Sequence, residues 1–494
     1  MSAPILSHSA SQSVASKTVH GAFALGVRQI IVQGTGILGG IFLARFLTPG
    51  QFGIYAIVLY LQTFLIAFGD AGLAASLVRQ HEEPDTADYR AVFTVQQIFV
   101  AVLTLIMLIA APFIASRYHM APKDAWLFRM VALSLLATSF MVVPLIRMER
   151  HLAFRKVAFI ESTQAIVFNG LAVYFAWRGF GAYAFVWALL IRSLVGTGLA
   201  NWLSPWRIGW HWDWPLVRSH LSFGLPYQGI QVSSLLKDSI SPIFIGFLLG
   251  TVDVGYITWA NIIAAYPVLV LSVLQRLYMP AFARLQHQKN QLTSLVENVM
   301  WANNAIAAPL SILTLVLIVP ITNTVYGGKW LVALPYFYLF WCVNLVVPSV
   351  MPAMGLLNAL GKSKIVLMFA VIAMAGIWII GTPLILLEGA VGFAIANLIM
   401  QAAAYWMCRA AYRQVPFRLV SVVAPVWGIA AASGVFVYLL CRVCPPLHIL
   451  TVGVYGACGL VSYVAGLYLF YKEKFYATWS ELKRAGMNVR QRTV

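Results

Sequence analysis

The sequence predicts an all-α polytopic membrane protein of about fourteen transmembrane helices, arranged as two six-helix lobes plus two C-terminal helices. Three observations carry this expectation. The chain of 494 residues is 61% hydrophobic and 10% charged, with a mean hydropathy of +0.83, whereas soluble domains are roughly 45–50% apolar and 25% charged. Apolar stretches long enough to cross about 30 Å of hydrocarbon follow one another along the whole chain. Lys and Arg collect in alternate connections.

The elements follow in order. Residues 1–19 are rich in Ser and Ala, lack the basic start and cleavage site of a secretory signal, and read as a cytoplasmic tail. The apolar segments lie at about 20–47, 54–78, 91–116, 127–146, 157–177, 180–203, 221–249, 254–283, 296–320, 331–359, 364–387, 389–412, 419–440 and 449–470. Helices are required, because lipid offers the backbone no hydrogen-bonding partner and the pattern lacks the ten-residue alternation of a barrel. With the N-terminus inside, 23 basic residues fall on inner segments, 7 on outer ones and 3 within spans. That bias predicts a multi-pass protein with both termini in the cytoplasm. The net charge of +18 therefore reflects topology, and no nucleic-acid partner is called for.

The lobes are expected at 20–203 and 221–412, with helices 13 and 14 in 413–470 and a basic cytoplasmic tail at 471–494. Between the lobes, residues 204–220 mix Trp206, Trp210, Trp212 and Trp214 with Arg207, His211 and Arg218. Aromatic and basic residues together favour the headgroup layer, so this segment reads as an interfacial linker. Leu47 and Gly53 align with Leu249 and Gly255 at a separation of 202 residues, the trace of an internal repeat of the kind transporters contain.

Ionisable residues deep in a span mark function, since each is expensive there without water or a partner. Arg28 lies about 12 Å along the first helix. Lys237 and Asp238 share a polar sector of the seventh helix with Gln231, Ser233, Ser234 and Ser241, within about 160° at 100° per residue. This sector either lines a hydrated cavity or holds Lys237 in a pair with an acid. Arg192, amid Leu190, Ile191 and Leu194 of the sixth helix, reads equally as function or packing. Asp70 reads as a proton or sodium site, as a partner of Arg28, or as a helix cap. Asp238 shares the ion-coupling expectation.

Other chemistry is poorly represented. The nine His and five Cys show no ligand spacing, so no metal or cofactor is called for. Cys441 and Cys444 read as a disulfide or as two unrelated thiols. No Ser-His-Asp set is expected at one membrane level. The prolines crowding helices seven to ten permit either movable gates or static bends.

Residues 44–53 (ARFLTPGQFG) and 68–80 (FGDAGLAASLVRQ) form a helix ending in Leu-Ala-Arg, a Pro turn into Phe-Gly, and a second helix closing in Asp-x-Gly-Leu. This resembles the first hairpin of Wzx-type polysaccharide flippases, in the polysaccharide-transporter branch of the MOP exporter superfamily. The resemblance implies two six-helix lobes around a cationic cavity and two further helices. It implies a non-enzymatic exporter that moves undecaprenyl-diphosphate-linked oligosaccharide, a repeat unit of exopolysaccharide or O-antigen, between leaflets by alternating access. Polysaccharide polymerase and export machinery are the partners it implies. Arg28, Lys237, Arg192, Gln231, Ser234 and Ser241 would then meet the diphosphate or line its cavity. A multidrug or organic-cation antiporter of the same superfamily is the alternative, with a membrane polymerase or acyltransferase of the same pathway behind it.

Overall fold

The computed structural model describes residues 8–70, 72–79, 83–446 and 448–471. Every described element is helical, and no strand occurs among the described residues. In chain order the helices are α1 (His8–Phe46), α2 (Pro49–Asp70), α3 (Leu73–Arg79), α4 (Thr86–Arg117), α5 (Ala125–Ser139), α6 (Val142–Arg150), α7 (Phe154–Trp177), α8 (Tyr183–Leu203), α9 (Trp214–Asp238) and α10 (Gly246–Leu249). They continue as α11 (Thr251–Leu269), α12 (Ser272–Arg284), α13 (Lys289–Thr324), α14 (Leu334–Asn344), α15 (Val347–Ala359), α16 (Ser363–Glu388), α17 (Ala390–Met400), α18 (Ala402–Gln414), α19 (Leu419–Val443) and α20 (Ile449–Phe470).

Each of the fourteen apolar segments coincides with helix. Among the described residues, twelve spans are long and apolar enough to cross a membrane, and the pair 122–139 and 142–150, bent by 40°, makes a thirteenth. The remaining expected span, 221–249, runs through α9, a π-helical turn at Ile240–Ile245, and α10. Its load of Gln, Ser, Lys and Asp sets it apart from the twelve. Large apolar side chains face outward in a way that water would not tolerate: Ile109 is 72% and Leu387 79% exposed. Lipid covers such faces without penalty, so the protein is a multi-pass membrane protein.

The helices form two compact units, residues 1–259 with 377–393, and residues 260–376 with 394–494. In the first, α1 packs along α7, α7 along α8, and α5 lies against α4 and α8. In the second, α13 packs on α19 and α15, with α20 beside both α13 and α19. The lobe boundaries expected from sequence follow helix number and the linker, and remain an expectation.

Breaks in these helices free backbone carbonyls, and in hydrocarbon each must find a donor. Pro144 has no N–H for the carbonyl of Phe140, and Asn201 Nδ2 donates to that oxygen at 3.2 Å. Where α9 breaks, Tyr60 Oη donates to the carbonyl of Leu235 at 3.2 Å and Trp378 Nε1 to that of Leu236 at 3.0 Å. Tyr118 Oη donates to the carbonyl of Pro242 at 2.8 Å. In the second unit Pro309 frees the carbonyl of Ala305, which Tyr463 Oη satisfies at 3.0 Å. Pro352 frees that of Pro348, taken by Asn303 Nδ2 at 3.1 Å. Pro309 and Pro352 thus each leave a carbonyl that a side-chain donor from another helix satisfies.

The two repeat segments found by sequence meet in the first unit. A Cβ built on Gly53 would lie 1.8 Å from the carbonyl oxygen of Thr251, and one on Gly255 would lie 1.9 Å from that of Pro49. Thr251 and Gly255 stand 202 residues after Pro49 and Gly53. The contact is therefore reciprocal about a local twofold, backbone against backbone, and only glycine fits on either side.

Candidate functional site

A charged cluster within the spans is built on α1, α7 and α8. Phe154–Trp177 places Glu161 about 10 Å along α7 from its start, facing α1, and Arg28 Nη1 forms an ion pair with Glu161 Oε2. The partners are 21% and 36% exposed at the side chain. Arg28 Nη2 also donates to Gln29 Oε1 at 3.1 Å, while its buried Nε finds no acceptor. On α8 the guanidinium of Arg192 stands 5.5 Å from the centroid of the Phe168 ring of α7. Its electrostatic neighbours are Tyr55 and Glu161. Arg28 is thus paired with the carboxylate of Glu161, while Arg192 rests on an aromatic face.

Glu161 escaped the sequence reading because Ser162, Thr163 and Gln164 follow it, so it resembled the polar start of a span. Its depth becomes evident only once α7 is seen to begin at Phe154. Its register, seven residues in, was the available signal.

Asp70 lies elsewhere. Its Oδ1 accepts the N–H of Ala74 at 3.2 Å, capping α3 across the break after α2, and the acid paired with Arg28 is Glu161. Asp238 is exposed at the end of α9, near enough to Tyr60 to act on it electrostatically. Ser241 is the second residue of the π-helical turn, and its buried Oγ has no hydrogen-bond partner among the described residues. The backbones of Gln231, Ser234 and Lys237 are helical, as is that of Ser233, but their side chains lie outside the described ones. Cys441 and Cys444 are free thiols.

A Ser, a His and an Asp do meet, against expectation, at the start of α9. Ser76 Oγ lies 2.9 Å from His220 Nδ1 and His220 Nε2 lies 3.8 Å from Asp88 Oδ1. Packing brings His220 of α9 to Ser76 of α3 and Asp88 of α4, which lie near each other in the sequence but far from it. The geometry is not that of an activated nucleophile. Ser76 Oγ donates to the carbonyl of Leu73 at 2.7 Å, so it accepts from His220 Nδ1–H and its proton is committed to the backbone.

Burial holds the His220 imidazole below its ordinary value, with Asp88 pulling the other way. A histidine depressed on folding contributes fully above its unfolded value of about 6.5, and that contribution falls as pH drops below it. Melting of the reconstituted protein should therefore shift down between pH 7.5 and 5.5 by more in the wild type than in His220→Gln. Equal shifts would remove His220 as the cause.

The chain is 24% identical over 371 residues to the succinoglycan biosynthesis transport protein ExoT of Rhizobium meliloti, covering 74% of this chain and 72% of that one. It is 24% identical over 371 residues to the lipopolysaccharide biosynthesis protein WzxC of Escherichia coli, covering 73% of each. In structure it resembles the lipid II flippase MurJ in an inward closed conformation, with a TM-score of 0.73 at 11% identity over 92% of this chain and 100% of that one. An inward-facing multidrug resistance MATE family transporter of the MOP superfamily gives a TM-score of 0.55 at 15% identity, over 78% of this chain and 95% of that one. At such identities the structural likenesses establish the fold alone. The family model described as polysaccharide biosynthesis protein matches residues 42–335, more than half of the sequence, and the chain belongs to that family.

Proposed function

We propose that the protein is a flippase for undecaprenyl-diphosphate-linked oligosaccharide repeat units of exopolysaccharide or O-antigen. It is a transporter and not an enzyme, working by alternating access in the bacterial inner membrane with both termini in the cytoplasm. The lobes are 20–203 and 221–412, joined by the interfacial linker 204–220. The observation that carries this reading is the Arg28–Glu161 pair joining α1 and α7, with Arg192 of α8 on the Phe168 ring of the same α7. Guanidinium groups on helices that cross the membrane can meet a diphosphate, which needs cations at that depth, and would repel an organic cation. Lys237, Gln231, Ser234 and Ser241 belong to the same polar route, and Asp70 and Asp238 remain the candidates for ion coupling. The family supplies the saccharide, since relatives are named for succinoglycan and lipopolysaccharide biosynthesis.

The direct test is reconstitution. Proteoliposomes holding the full chain should move a lipid-linked oligosaccharide between leaflets, read by its accessibility to an added lectin. Uptake of an organic cation with no movement of the lipid-linked saccharide would replace this reading with the antiporter. A reporter fused after Val494 should read cytoplasmic, and a periplasmic signal would mean a miscounted helix.

A further inference from the structure

The second unit carries a groove of about 570 Å³ between α16 and α18. Its walls are two stripes at helical spacing. On α16, Ile365, Met368, Phe369 and Ile372 form one apolar face; on α18, Ala402, Trp406, Arg409 and Arg413 form the other. The opposite side of α18, with Ala404 and Ala411, is buried in the core of the unit against α15. That packing turns the second stripe outward. Trp406 is 67% exposed, and Arg409 and Arg413 are exposed as well.

The two ends of the groove differ in charge. Arg409 and Arg413 stand in the last two turns of α18, which ends at Gln414. Lys362 and Lys364, both exposed, flank the start of α16 beside Ile365. The described lining contains no Asp or Glu. Neither arginine forms an ion pair among the described residues. Arg409 Nη1 donates to the neutral Oη of Tyr405 at 3.4 Å. Glu297 of α13 accepts the backbone N–H of Arg418 at 2.8 Å and does not line the groove. Two uncompensated guanidinium groups therefore cap an otherwise apolar channel.

This pattern selects a ligand with two parts. A hydrocarbon chain alone would leave both cations without a partner. A free phosphate would meet the cations but leave the apolar wall unused. A zwitterionic headgroup brings its own cation to the basic end. An anionic phospholipid supplies a net negative headgroup and an attached chain, and basic pockets between membrane helices hold such headgroups. A prenyl phosphate shares this chemistry, but Met368, Ile372 and Trp406 are exposed on the outer surface, where bilayer phospholipid is in large excess.

We propose that this groove binds an anionic phospholipid of the cytoplasmic leaflet, with its phosphate on Arg409 and Arg413 and an acyl chain along the α16 stripe. The leaflet follows from the proposed topology, while the site itself does not depend on what the protein transports. Trp406 makes it observable. The test places the full chain in phosphatidylcholine vesicles with increasing fractions of phosphatidylglycerol brominated on its acyl chains, a contact quencher of tryptophan fluorescence. The Trp406 signal is the difference between the wild type and Trp406→Phe. It should be quenched at mole fractions at least about tenfold lower than brominated phosphatidylcholine requires, since each basic residue near the surface adds about fivefold to anionic-lipid affinity. Arg409→Gln and Arg413→Gln should each lose about fivefold of that preference, and the two together all of it. Arg409→Lys with Arg413→Lys should keep most of it. Salt at about 1 M should shrink the preference in the wild type, an arm that needs no variant. Equal quenching by both lipids in the wild type would overturn the proposal, as would an undiminished preference in the double glutamine variant. Displacement of the brominated lipid by undecaprenyl phosphate at far lower fractions than by phosphatidylglycerol would also overturn it. Movement of lipid-linked saccharide in proteoliposomes is read independently, so failure here leaves the flippase reading untouched.

Discussion

Arg28→Ala is expected to abolish polymer export at matched protein abundance, with lipid-linked oligosaccharide accumulating in the inner leaflet. A close cation at intermediate dielectric is worth several kcal/mol to a diphosphate before desolvation is subtracted. Each 1.36 kcal/mol is tenfold in rate, so a loss of at least about a hundredfold follows. Arg28→Lys should keep partial activity, since a point charge still attracts phosphate but lacks the bidentate fork. The ion pair with Glu161 adds a second consequence, because removing Arg28 alone leaves a carboxylate without its partner and can weaken the fold. Arg28→Ala combined with Glu161→Gln removes that penalty. Export should stay absent in the double variant if Arg28 serves the substrate. Recovery of export in it would assign the pair to packing and take the strongest residue out of the proposed site.

Gly53→Ala and Gly255→Ala are each expected to destabilise the protein severely. The new methyl would fall 1.8 Å from the carbonyl oxygen of Thr251 in one case and 1.9 Å from that of Pro49 in the other. Both obstacles are backbone, so no rotamer change relieves the overlap, and α2 and α11 must separate at their starts. Overpacking costs typically about 1–3 kcal/mol, and a clash with no side chain to yield belongs at the upper end or beyond. Gly198→Ala is the control, for nothing lies within 4 Å of its Cβ position, and a helical Gly→Ala change gains up to about 1 kcal/mol. Melting temperature and membrane yield should fall sharply for the first two variants and hold or rise for the third. Wild-type stability in Gly53→Ala would show that the reciprocal contact is not closed in the membrane.

The number and order of the spans were legible because hydrocarbon demands about twenty apolar residues and an internally bonded backbone, both one-dimensional properties. Arg28 and Arg192 were legible for the same reason, as charges inside apolar runs. Gly53 and Gly255 were visible as a repeat, but their mutual contact was not, since a sequence offset says nothing about distance. Glu161 and the meeting of Ser76, His220 and Asp88 needed tertiary structure. Each is an ordinary polar residue near the end of a span, where sequence expects polarity and attaches no meaning to it. What distinguishes them is the partner found or missed across 130 residues or so of chain, as between Arg28 and Glu161. Helix packing settles such pairings. Local hydropathy decides only whether a segment enters the membrane, while the register between helices decides which buried polar atoms meet.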